Sequence, residues 1–376
     1  MQTLIFFSLT LMSNVSAAYM LPNPNGEYNV TLTTGTLTDY ARSVASNGTT
    51  YPRELMLSVF QPTTCVSNVY VPYMPNKTAE YQGPYLQQQF SLPIDLSPLF
   101  LGAELPTCAI GPRDCSKENN TPILLFSPGW GIPRLYYSVL ASAIASQGFT
   151  VITIDHPGDA NIITYPDGHV IYGAKPGIPT DEEFTNLTYA RAADASFIID
   201  QLTNATAMSH LLPHPVPTDR IAMLGHSLGG AASVLAASQD PRIRGAMDWD
   251  GSLFGSRPVA GLSTPVLYVS HANVTDPSWV AAWPDFTGPK LWLEVEGTTH
   301  QSFSDALTLI EAAGQDLAPF ADFLGTIAPS KVVGILVAYT AAWMGGVFEG
   351  KLGGGVLDGE GGSRFLEVKT VRKGGF

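Results

Sequence analysis

From residue 122 onward the chain keeps a steady rhythm: a short apolar run, a turn, then apolar residues three and four apart. Residues 123–127 are apolar and stop at Pro128-Gly129-Trp130-Gly131. Residues 136–147 carry helical spacing, and Gly148 ends them. Residues 150–155 (TVITID) form a β-branched run closed by His156-Pro157-Gly158. Helical spacing returns over 189–202, an apolar run follows over 220–224, and a small-residue helix over 228–238. Residues 244–249, 265–270 and 290–295 predict three more strands. Buried apolar strands alternating with helices predict an α/β fold, with a mostly parallel central sheet and helices on both faces.

The flanks read differently. Residues 53–62 alternate Leu55, Leu57 and Val59, which predicts a strand entering the sheet. The rest of 19–121, rich in Pro, Thr, Asn and Tyr, reads as an irregular extension. The uncharged run 332–348 is at the lower limit for a membrane span and contains Gly345-Gly346, so a core-packed helix is expected. Gly353-Gly354-Gly355 and Gly361-Gly362 predict a flexible Gly-rich tail over 351–376, ending in a basic patch at 369–373. Near the start, Leu4 to Met12 is apolar but too short to span a bilayer, and Ser16-Ala17-Ala18 follows as a small-residue cleavage pattern. The expected organisation is a signal peptide (1–18), one α/β domain (19–350) and the tail.

Composition narrows the class. With 376 residues, 45% hydrophobic and 14% charged, the chain can bury a large core. Its net charge of -13 repels phosphate backbones and argues against nucleic acid as a partner. Sequons at Asn29, Asn47, Asn76, Asn119, Asn186, Asn204 and Asn273 fit a secreted glycoprotein. Three cysteines, Cys65, Cys108 and Cys115, allow one disulfide whose pairing the sequence leaves open. Their spacing does not suggest a zinc site.

The chemistry centres on Gly225-His226-Ser227-Leu228-Gly229. This is G-x-S-x-G, the nucleophile elbow of the α/β-hydrolase fold. A serine there sits on a sharp strand-to-helix turn, and glycines two residues to either side, Gly225 and Gly229, relieve its crowding. The bare pattern arises by chance in a Gly-rich chain. An apolar strand before it and a small-residue helix after it raise its specificity. A nucleophilic serine needs a base and an acid, in the chain order Ser, Asp or Glu, His. Of the two downstream histidines, His300 follows the last predicted strand and is preferred over His271, which comes one strand early. Asp250, at a strand end beside Gly251, is the preferred acid, and Asp248 the fallback. The oxyanion donors are expected to be the backbone N–H groups of Leu228 and Trp130. No metal or organic cofactor is required.

These residues stand in blocks, in order: LMLSVFQP, LLFSPGWG, TVITIDHPGDA leading to Tyr165-Pro166-Asp167-Gly168, RAADASFIIDQL, GHSLGG, DWDGSLFG and GTTHQSFSD. Together they resemble the platelet-activating-factor acetylhydrolase family, particularly its fungal-type secreted members, over about residues 53–349. The resemblance implies a secreted serine esterase. It would release short or oxidised sn-2 acyl groups from glycerophospholipids at a lipid interface, with Ser227, Asp250 and His300 as its triad and Trp130 and Leu228 at the oxyanion. It implies no obligate protein partner. Two departures stand out: Pro128 where many relatives have His, and a second aspartate, Asp248, near the Asp-Gly pair. A general carboxylesterase or cutinase-like enzyme would use the same residues. A catalytically silent lipid-binding protein of this fold is the reading from another class.

Overall fold

The computed structural model describes residues 18–376 except 47, 65–67, 93, 110–120, 213–215, 217, 256–258 and 359–364. The segment read as a signal peptide, Cys65, Cys115, Asn47 and Asn119 lie outside the described residues.

Among the described residues the strands are β1 (Tyr19–Met20), β2 (Asn29–Ser46), β3 (Thr49–Thr63), β4 (Asn68–Pro72), β5 (Ala103–Cys108), β6 (Ile123–Ser127), β7 (Thr150–Asp155), β8 (Ile162–Thr164), β9 (Val170–Tyr172), β10 (Ile221–His226), β11 (Ile243–Trp249), β12 (Val266–His271), β13 (Lys290–Val295) and β14 (Val368–Gly374). All but the β8–β9 hairpin join one sheet, in the order β1-β5-β2-β3-β7-β6-β10-β11-β12-β13-β14, with β4 beside β5. The six strands from β7 to β13 in that order are parallel. β3 joins them antiparallel on one side and β14 on the other.

Each parallel strand feeds both faces, because successive side chains point to opposite sides. Leu124, Phe126, Ala222 and Leu224 enter one apolar cluster with Val139, Leu140, Ile335 and Trp343. Ile123, Leu125, Ile221 and Met223 enter the other, with Ile198, Ile199, Leu235 and Trp279. Both faces are thereby covered by helices. The Pro329–Glu349 helix turns Val332, Ile335, Leu336, Tyr339, Trp343 and Met344 inward.

Three expectations need correction. The region read as an irregular extension contains a long antiparallel hairpin, β2 with β3, and a helix, Asn76–Phe90. Strand β2 is half-exposed and Thr-rich and lacks an apolar run, whereas β3 is the strand expected over 53–62, lengthened to Thr49–Thr63. The helix contains Gly83 and Pro84 and few apolar residues. The region read as a flexible tail returns as β14, with Lys369 paired to Glu296 at the exposed edge. Finally, the helix expected over 189–202 begins earlier and runs Asp181–Gln201. A capping box, in which Thr180 and Glu183 bond each other's backbone, starts it.

Candidate functional site

Ser227 sits between β10 and the Leu228–Gln239 helix with φ 55° and ψ -126°, a backbone state that non-glycine residues rarely adopt. Its N–H bonds the Trp249 carbonyl at 2.8 Å, which ties the turn to β11. The flanking glycines are steric requirements. A Cβ on Gly225 would lie 2.0 Å from the carbonyl carbon of Gly229, and one on Gly229 would lie 1.9 Å from the Ser127 carbonyl oxygen.

His300 opens a short 3-10 turn, His300–Phe303, just after β13. Its Nε2 lies 3.0 Å from Ser227 Oγ. Its Nδ1–H donates to Asp250 Oδ2 at 2.6 Å. Asp250 has left the strand, with φ 61°, and so no longer shares a face with Asp248. Burial pushes its carboxyl up, but hydrogen bonds from His271 and His300 outweigh burial and hold it below the ordinary carboxylate range. Asp248 remains in β11, fully buried, where burial pushes its carboxyl well above the ordinary range. It accepts the Gly251 N–H at 2.8 Å and supports the turn that Asp250 occupies.

His271 also reaches Asp250. Its N–H bonds Oδ1 at 2.9 Å and its Nδ1–H bonds Oδ2 at 2.6 Å. The hydrogen bond to Asp250 raises its pKa. The two downstream histidines therefore share one carboxylate, and only His300 bonds Ser227.

The loop after β6 is fixed by a residue that received no role from the sequence. Arg191, buried in the Asp181–Gln201 helix, donates to the carbonyls of Pro128 and Gly129, the latter at 3.1 Å. It also donates to Ser127 Oγ at 3.0 Å and Asp159 at 2.6 Å. In a trans peptide N–H and C=O point opposite ways. Pinning the Gly129 carbonyl therefore turns the Trp130 N–H away from Arg191. Gly129 N–H goes to Tyr137 Oη at 3.0 Å and Gly131 N–H to Asp159 at 3.1 Å. Among the described residues the Trp130 N–H has no partner. Leu228 N–H, the first of its helix, has no acceptor inside the helix.

Tyr137 passes the connection on. Its hydroxyl donates to His226 Nδ1 at 2.8 Å, and His226 Nε2–H donates to the His300 carbonyl at 2.9 Å. The variable position of the elbow thus ties the Gly129 loop to the His300 backbone. Burial, aided by the nearby His300, lowers the His226 pKa to about 3. An unfolded chain protonates this residue near the ordinary value of about 6.5. Its contribution to stability is therefore complete above that value and fades as pH falls toward 3, at up to about 1.4 kcal/mol per unit. Asp305, raised by burial to about 7, acts in the opposite direction. The test is accordingly a difference: the Tm gap between the parent chain and His226→Gln should be widest at pH 7–8 and shrink toward pH 4. A gap that widens on acidification would refute the linkage.

Ser227, Leu228, Asp250, His271 and His300 line an open cleft of about 620 Å³, walled by Phe184 and Phe254. Trp130 lines a neighbouring cleft and meets Phe184 edge to face at 5.9 Å.

Residues 124–352 match the alpha/beta hydrolase family, and residues 14–175 match platelet-activating factor acetylhydrolase, isoform II. A probable 1-alkyl-2-acetylglycerophosphocholine esterase from Arthroderma benhamiae is 31% identical over 325 residues, covering 81% of each chain. Platelet-activating factor acetylhydrolase of Bos taurus is 26% identical over 49% of this chain and 48% of its own. The solved structure of a ferulic acid esterase from Streptomyces cinnamoneus superposes with a TM-score of 0.77 at 26% identity, over 95% of this chain and all of the other. The chain is an ester hydrolase of the α/β-hydrolase fold and belongs to the platelet-activating factor acetylhydrolase family.

Proposed function

We propose that Ser227 is the nucleophile, His300 its base and Asp250 the acid that orients His300. The observation that carries this reading is the unbroken bonding from Ser227 Oγ through the His300 ring to Asp250. Ser227 Oγ attacks the ester carbonyl while His300 Nε2 takes its proton. The imidazolium so formed is stabilised by the Asp250 carboxylate. The oxyanion is received by the N–H groups of Trp130 and Leu228, assisted by the positive end of the Leu228–Gln239 helix. His300 then protonates the leaving alcohol. Water, activated by the same ring, releases the acid from the acyl-enzyme.

The substrate we infer is a glycerophospholipid with a short or oxidised sn-2 acyl group, because the Arthroderma benhamiae relative is a probable 1-alkyl-2-acetylglycerophosphocholine esterase. A second, apolar depression beside the site supports a lipid substrate. Ile132, just past the oxyanion loop, and Gln301, next to His300, line it with Phe90, Leu99 and Phe323. The likeness to a ferulic acid esterase and to a Thermobifida fusca cutinase favours a general esterase as the second reading. We also infer export. The sequon residues Asn29, Asn76, Asn186, Asn204 and Asn273 are all exposed, as N-glycosylation requires.

Phosphatidylcholines with sn-2 chains from acetyl to palmitoyl, run beside methyl ferulate, decide between the two. The expected result is turnover that falls by at least about tenfold from acetyl to palmitoyl, a loss of some 1.4 kcal/mol in transition-state binding. Turnover of methyl ferulate alone would move the substrate to the second reading.

A further inference from the structure

A serine–histidine–aspartate relay needs one histidine on its carboxylate, and this one carries two. The Nδ1–H groups of His271 and His300 both end on Asp250 Oδ2 at 2.6 Å. The three donor atoms lie within 4.8 Å of one another, the one such cluster among the described residues. Both rings are reachable from the Ser227 cleft, with side chains 24% and 38% exposed. Two imidazole nitrogens thus converge on one carboxylate oxygen, and all three residues line the open Ser227 cleft; an ion would enter among the three donors as the carboxylate withdraws from the rings.

Two imidazoles, one carboxylate and an open fourth position suit Zn²⁺ among available divalent cations. Tetrahedral zinc with bonds of about 2.0–2.1 Å needs donor atoms roughly 3.3 Å apart. Each ring-to-carboxylate distance must therefore open by under about 1 Å.

We propose that Asp250, His271 and His300 bind one Zn²⁺ and that the bound ion reversibly stops hydrolysis. Proton bookkeeping supplies the reason. A neutral imidazole that gives Nδ1 to the metal keeps its proton on Nε2. In His300 that nitrogen faces Ser227, so the atom that must accept the hydroxyl proton already holds one. The carboxylate, now a metal ligand, no longer stabilises an imidazolium. His271 sets the affinity, since without it the ion keeps two protein ligands. The inhibitory half of the proposal rests on His300 being the base; the binding half does not.

The test uses the full chain in chelator-free buffer. ZnCl₂ is titrated against p-nitrophenyl acetate hydrolysis, and binding is measured by calorimetry on the Ser227→Ala protein. The expected results are one ion per chain, loss of at least about 90% of the rate at saturation, and full recovery with EDTA. His271→Ala should raise the half-inhibiting concentration at least about tenfold. Co²⁺ should give the visible absorption of a tetrahedral site in the parent and not in His271→Ala. Absence of binding would overturn the proposal and leave the hydrolase reading untouched. Equal inhibition of parent and His271→Ala would place the ion elsewhere and overturn it too. Stoichiometric, His271-dependent binding without inhibition would overturn the inhibitory half and count against His300 as base.

Discussion

Ser227→Ala is expected to lower kcat by on the order of 10⁴–10⁶, the range seen when a triad serine is removed. Stability should change little. The side chain's bond is to His300, and alanine at the same positive φ adds no new strain. Fluorophosphonate labelling should disappear with the activity. Residues that act as one unit lose their effect once. Ser227→Ala combined with His300→Ala should therefore be no slower than either alone, while Asp250→Asn, which leaves a wrongly held ring, should cost about 10⁴ in kcat. Retention of more than about 1% of the parent rate by Ser227→Ala would remove this serine from the mechanism.

The second large effect is expected at a residue that bonds no member of the relay. Arg191→Lys should lower kcat by about 10²–10³ with KM changed less than about threefold, the loss associated with one oxyanion donor. Lysine can still pair with Asp159, but a point charge cannot grip two carbonyls at once as the guanidinium fork does. Once the Gly129 carbonyl is free, the Trp130 peptide can rotate, and its N–H no longer meets the developing charge. Arg191→Met would add a stability loss of about 3–5 kcal/mol, because Asp159 would be left buried and unpaired. The split between kcat and KM separates the two effects. A Lys variant with normal kcat and a lowered Tm would assign Arg191 to stability alone.

The parallel strands were legible because both of their faces are buried, so each reads as an unbroken apolar run bounded by turns. The elbow and His300 were legible for a related reason: each sits at the end of such a run. Asp250 was favoured over Asp248 from its place beside Gly251, and the turn at φ 61° is what parts the two carboxylates. Strand β3 was legible from Leu55, Leu57 and Val59, whereas β2 and β14 were not. Edge strands that face water carry Thr, Ser and Lys, and their pairing is set by partners far away in sequence. Arg191 was missed, and His271 was weighed only as an alternative base, because the partners of both lie far away in sequence. One turn of helix and one strand end acquire their meaning only when three distant loops meet.

The buried charges around that meeting point also bear on how this chain can change over generations. Arg191 binds Asp159, Arg53 binds Asp194, and Asp194 binds His156, which in turn receives the Ser127 hydroxyl that Arg191 also reaches. A single substitution at any of these positions strands a charge or a donor in the interior. Neutral drift is therefore blocked one residue at a time and open only through paired replacements. In an alignment of descendants these positions should vary together or not at all, and grafting one of them alone into a relative should fail where grafting the group succeeds.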